Sequence, residues 1–114
     1  MAAAVKVYND QLQKDVVTGK ITCANPAVAI YVELGFVPSK VEILNQTQLA
    51  TGEWNKNLTD AYYFKRVTDG TLSLVTSAGV TPFVGSTTYK PGFIIGTDAV
   101  LNTAADVLYF TAYR

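Results

Sequence analysis

Apolar side chains along this chain recur most clearly at every second position. From Val28 to Phe36, the residues Val28, Ile30, Val32, Leu34 and Phe36 alternate with Ala29, Tyr31, Glu33 and Gly35. A period of two sends successive side chains to opposite faces of an extended strand. The first set is therefore expected to face a core and the second to face away. Val37-Pro38-Ser39 makes a corner. Lys40 to Leu44 then alternates again, with Val41 and Ile43 on one side and Lys40 and Glu42 on the other. These two strands are expected either to share a sheet or to lead from one sheet to its partner.

Further along, Ala61 to Thr68 reads as a strand, Asp69-Gly70 as a hairpin turn and Leu72 to Thr76 as the return strand. Val107 to Tyr113 reads as the last strand. Val80 to Thr88 is less regular, and Gly92 to Gly96 reads as a turn region. Asn45 to Thr59 is mostly polar around Trp54 and is expected to be a long connection or exposed loop. Val5 to Tyr8 and Lys14 to Thr22 read as sheet edges. Val and Thr are the commonest residues, and Tyr, Phe and Ile recur among them, all strand formers. Gly and Pro interrupt the chain too often for helices of ordinary length. The expected fold is all-β: about eight to ten short strands in a β-sandwich or jelly roll, with a small closed barrel as the alternative. Residues 1–12 are expected to form an N-terminal arm, loose at Met1 to Ala4, and residues 13–114 the sandwich domain.

Composition narrows the function. The chain has 114 residues, enough for one domain with its own core. Its 9 basic and 9 acidic residues cancel, so no basic surface for nucleic acid is expected. A neutral chain that is 49% hydrophobic and 16% charged suits one packed against other chains, because little charge repulsion keeps copies apart. No histidine is present, which removes Ser-His-Asp and Cys-His catalysis and His-ligated metals. Cys23 is the single cysteine, so no disulfide forms within the chain; it is expected to pack as a small apolar group in or beside a strand. No apolar run is long enough for a membrane span, and no signal-peptide pattern is seen. Synthesis in the cytoplasm, without secretion by the usual route, is the expectation.

Local motifs offer little chemistry. "GFIIGTDAVLN", residues 92–102, has two glycines but neither a Lys-Ser or Lys-Thr pair nor a helix-forming run behind them, so a phosphate loop is not expected. Phe93 and Ile95 should enter the core, while Asp98 and Asn102 satisfy the loop's backbone. Glu53, Trp54 and Asn55 resemble a sugar-contact set, because an aromatic face can stack on a sugar ring; loop packing or a subunit contact is the competing reading. Asn45-Gln46-Thr47 and Asn57-Leu58-Thr59 match the glycosylation acceptor pattern, which is common by chance. Tyrosine suits surfaces that are apolar in body and polar at the tip. The candidate interface set is Val5, Val7, Tyr8, Tyr31, Trp54, Tyr109 and Tyr113. No catalytic, cofactor-binding or metal-ligating residues are assigned, and no cofactor is expected.

Three segments in order carry a resemblance: "VELGFVPSKVEILNQT", then "GEWNKN", then "GFIIGTDAVLNTAADVLYFTAYR". Together they resemble small virion structural proteins of tailed bacteriophages, most of all head decoration (cement) proteins. Similar Gly-Phe-x-Pro and closing-strand patterns occur in modules at tail-fibre tips. The resemblance spans roughly residues 28–114. It implies a β-rich domain without an active site, bound to the outer surface of an assembled head and often trimeric. Its partners would be the major capsid protein and further copies of itself. A carbohydrate- or receptor-binding module of a tail fibre is the alternative.

Overall fold

A computed structural model of the chain describes residues 3–6, 15–24 and 28–114. The described residues contain ten strands and no helix. In chain order these are β1 (Ala3–Lys6), β2 (Val16–Thr22), β3 (Ile30–Glu33), β4 (Lys40–Asn45), β5 (Ala50–Asn55), β6 (Tyr63–Arg66), β7 (Leu72–Val75), β8 (Val80–Phe83), β9 (Gly92–Ile95) and β10 (Val107–Tyr113). They form a four-stranded sheet, β1-β3-β9-β8, and a six-stranded sheet, β2-β10-β4-β5-β6-β7. Neighbours run antiparallel except β1 and β3, which are parallel. The two sheets make the expected β-sandwich.

Alternation explains which face each strand buries. Ile30 and Val32 of β3, with Phe93 and Ile95 of β9, form the inner face of the smaller sheet. Val41 and Ile43 of β4, Trp54 of β5, Tyr63 of β6, and Leu108, Phe110 and Ala112 of β10 face them from the larger one. Phe93 and Phe110 meet edge to face with centroids 5.5 Å apart and so tie the layers together. Burying a side chain of this size stabilises the fold by about 1.5–3 kcal/mol before conformational entropy is charged against it. The corner at residues 34–39 carries the chain from β3 in one sheet to β4 in the other. Gly35 (φ +89°) turns it, and Leu34 N–H and Gly35 N–H both donate to Pro91 O at 2.9 Å.

Several expectations need correction. Asn45 to Thr59 is not a long loop: β5 lies within it and forms a hairpin with β4, Asn45 opposite Ala50 and Lys40 opposite Asn55. Gly92 to Gly96 is chiefly a strand. β9 runs between β3 and β8, and its glycines stand where neighbouring backbone comes closest. A Cβ at Gly92 would lie 1.8 Å from Val32 O, and one at Gly96 would lie 2.4 Å from Ala78 O. Within the segment read as an arm, residues 3–6 form β1, which pairs Ala3–Lys6 with Ile30–Glu33 at a sheet edge, where Val5 to Tyr8 was expected; residues 1–2 and 7–12 lie outside the described residues. β2 is an edge of the larger sheet, as expected, and the Asp69-Gly70 hairpin joins β6 to β7.

Candidate functional site

The larger sheet has a second apolar face. Two neighbouring rows of its outward positions, fixed by register, cross the strands. In the first row Glu42 stands beside Glu53, Glu53 beside Phe64, and Phe64 beside Leu74. In the second, Tyr109 stands beside Leu44, then come Thr51, Arg66 and Leu72. Leu44, Phe64, Leu72, Leu74 and Tyr109 are all exposed, Leu72 at 55%. Register sets them in two groups, Leu44 with Tyr109 and Phe64 with Leu72 and Leu74, with Thr51 and Glu53 of β5 between them. Scattered exposed apolar residues are ordinary, but several gathered on one sheet face mark a contact surface. A shallow depression of about 380 Å³ lies on this face, bounded by Leu44, Phe64, Arg66, Leu72 and Tyr109 together with Glu42 and Glu53.

Polar groups frame the patch. Lys40 Nζ lies 3.2 Å from Glu42 Oε2 and 3.4 Å from Glu53 Oε2, and 5.5 Å above the Tyr113 ring. Tyr113 O–H donates to Glu42 Oε1 at 3.1 Å. The hydrogen bond to Glu42 pushes the Lys40 ammonium and the Tyr113 phenol above their ordinary pKa values. Such exposed pairs add little stability and mainly hold side chains in place. Arg66 donates through Nη1 to Gly70 O at 2.7 Å and forms no ion pair among the described residues.

The candidate interface residues scatter. Tyr109 and Tyr113, four positions apart on β10, both belong to this outer face. Tyr31 faces outward from the smaller sheet. It stacks on Tyr89 (centroids 4.5 Å apart) and meets the edge of Phe83, so its ring is partly covered within the chain. Val5 lies in β1, its backbone opposite Val32. Val7 and Tyr8 lie outside the described residues. Trp54 is misplaced in the sequence reading. It sits inward on β5 and is 1% exposed, because the inward set of that strand is Ala50, Gly52 and Trp54. It helps wall a recess of about 480 Å³ beside Pro38, Asp60, Pro82 and Arg114, but it offers no free ring face to a sugar. The Glu53-Trp54-Asn55 sugar reading fails on that geometry. Leu44, Phe64, Leu72 and Leu74 were missed. Their signal is an apolar residue on the polar parity, as in Ile43-Leu44 and Tyr63-Phe64.

Behind the sandwich edge, the loop at residues 96–106 is bound by buried polar groups. Asn45 Nδ2 donates to Val100 O (2.6 Å) and Asp106 Oδ2 (2.9 Å), and Gln48 Nε2 donates to Asp106 Oδ2 (2.6 Å) and Ala99 O (2.8 Å). Asn102 Nδ2 reaches Val28 O and Gly96 O, and Tyr63 O–H donates to Asp98. Burial, then the Asp98 hydrogen bond, pushes the Tyr63 phenol far above its usual range. Cys23 is buried, and burial followed by the charge of Asp106 raises its thiol pKa, which disfavours the reactive thiolate. Asn45 is wholly buried, so its acceptor motif is closed to a glycan. Among the described residues no group of three or more His, Cys, Asp or Glu side chains could hold a metal, and no helix could cross a membrane. No family model matches the chain, and no curated protein or solved structure matches it either.

Proposed function

We propose that this protein is a decoration protein of a tailed-bacteriophage head, binding the outer surface of the assembled capsid and stabilising it by clamping neighbouring subunits. It works by adhesion and transforms no substrate. The observation that carries the reading is the uncovered apolar face of the six-stranded sheet, where Leu44, Phe64, Leu72, Leu74 and Tyr109 gather from four strands. A folded chain with its own core leaves such a face open when another protein surface covers it. Zero net charge and the order of the Gly-Phe-x-Pro, Trp-bearing and closing segments support the same reading. A modest contact suffices where one copy touches several capsid subunits, since its first contact raises the effective concentration for its next. The partners are the major capsid protein and further copies of this chain, and the location is the virion surface.

The test uses heads assembled from the major capsid protein of the same virus. The purified protein should co-sediment with them to a saturating copy number set by the lattice, and should raise the temperature at which heads rupture. Absence of binding at saturating concentration, with rupture unchanged, overturns the proposal.

A further inference from the structure

We infer that the outer face of the six-stranded sheet is covered by a second copy of this chain, packed face to face about a two-fold axis that crosses the strands between the two rows. Such an axis lays the first row of each copy over the second row of the other. Arg66 then stands over Phe64 of the other copy and beside its Glu53, while Leu74 meets Leu72. Each of these contacts occurs twice. The charge complementarity lies between Glu53 in one row and Arg66 in the other, on neighbouring strands; Glu42 keeps its pair with Lys40. Arg66 lacks an ion pair among the described residues and uses one bond, to Gly70 O, leaving donors of its guanidinium for a carboxylate and its plane for a ring.

Size agrees. Six strands at about 4.8 Å spacing and four to seven residues at about 3.3 Å give a face of roughly 29 by 13–23 Å. With side-chain relief this approaches the ~800 Å² per partner of a standard interface. Equal numbers of basic and acidic residues leave two copies without net repulsion. Stacking sheet on sheet repeats the packing already used inside the sandwich. The inference uses the same face as the proposed function but concerns the free protein: a second copy covers before docking the face that meets a capsid subunit in the assembly, so the two contacts exclude each other.

Sedimentation equilibrium from micromolar to millimolar concentration tests it on the full chain. The expected species has about twice the 12.3 kDa chain mass. Leu72→Asp with Leu74→Asp, both exposed, should weaken pairing at least tenfold while the circular dichroism stays unchanged. Arg66→Glu alone and Glu53→Arg alone should each weaken it, and the two together in one chain should restore it, because the contact is reciprocal. A single-copy mass throughout, a three-copy mass, or a two-copy mass indifferent to these substitutions overturns the inference. Binding to heads without self-association would remove this inference and leave the decoration reading standing; pairing without binding to heads would do the reverse.

Discussion

Gly92→Ala is the sharpest probe of how the smaller sheet is built. Gly92 stands opposite Glu33 of β3 and Phe83 of β8, so β9 is flanked on both sides at this residue. The added Cβ would lie 1.8 Å from Val32 O, with Leu34 N at 3.1 Å. Relief needs a movement of roughly an ångström or more between β3 and β9, and close-packed interiors resist such shifts. Overpacking of this kind costs about 1–3 kcal/mol. The same movement pulls Pro91 O from Leu34 N–H and Gly35 N–H, both now at 2.9 Å. Each of those bonds is worth about 1 kcal/mol net. The sum is about 3–5 kcal/mol, a large share of the ~5–15 kcal/mol typical of a domain. At about 4 °C per kcal/mol, Tm should fall by roughly 12–20 °C.

Urea unfolding followed by far-UV circular dichroism measures the change, with Gly70→Ala as the control. An added Cβ at Gly70 would meet no atom within 4 Å, but the φ of +86° there is unfavourable for alanine. That strain costs about 1–2 kcal/mol, with no packing term. If Gly92→Ala costs no more than Gly70→Ala, the close approach of β9 to Val32 is not what requires glycine there, and the reasoning is refuted.

Leu49 lies in the β4–β5 turn, 70% exposed, with a left-handed φ of 56°. Leu49→Gly should stabilise by up to about 1 kcal/mol, the relief of strain outweighing the added chain entropy; a lower urea midpoint would contradict this. Asp106→Ala removes the oxygen shared by Asn45 Nδ2 and Gln48 Nε2, each of which keeps a backbone carbonyl partner. It should cost about 2–3 kcal/mol by denaturation, and a change within error would show that the carboxylate does not secure the loop. Because the folded state raises the Tyr63 pKa, it keeps that proton after the unfolded chain begins to release it near pH ~10. The associated stability is intact below that pH and is lost as pH rises above it. Urea midpoints from pH 8 to 11 should therefore decline more steeply for the native chain than for Tyr63→Phe, and parallel declines would contradict the assignment.

The strands with strong alternation were legible in the sequence. β3, β4 and β10 place a bulky apolar residue at nearly every inward position, and Asp69-Gly70 announces the β6–β7 hairpin. β5 was hidden because two of its three inward positions are Ala50 and Gly52, which carry almost no hydrophobic signal. β9 was hidden because glycines at both ends suggested a turn, although close backbone approach also demands glycine. The sheet order was not legible at all. β10 enters between β2 and β4, a pairing that joins distant parts of the chain, and no local pattern encodes it.

The outer face shows why the candidate site was harder to read than the core. Alternation divides a strand into two sets but does not state which set is buried when both contain apolar residues. In β7, Leu72 and Leu74 point outward while Ser73 and Val75 point inward, the reverse of what hydrophobicity alone suggests. Leu44 and Phe64 each follow an inward apolar neighbour, so their strands have apolar side chains on both parities. Strands covered on both faces read this way, because each face needs its own apolar set. Among the described residues, the larger sheet is covered on the side that meets β3, β9 and β8. The exposed apolar parity of β4, β6, β7 and β10 becomes visible only after register aligns residues that lie far apart in the chain.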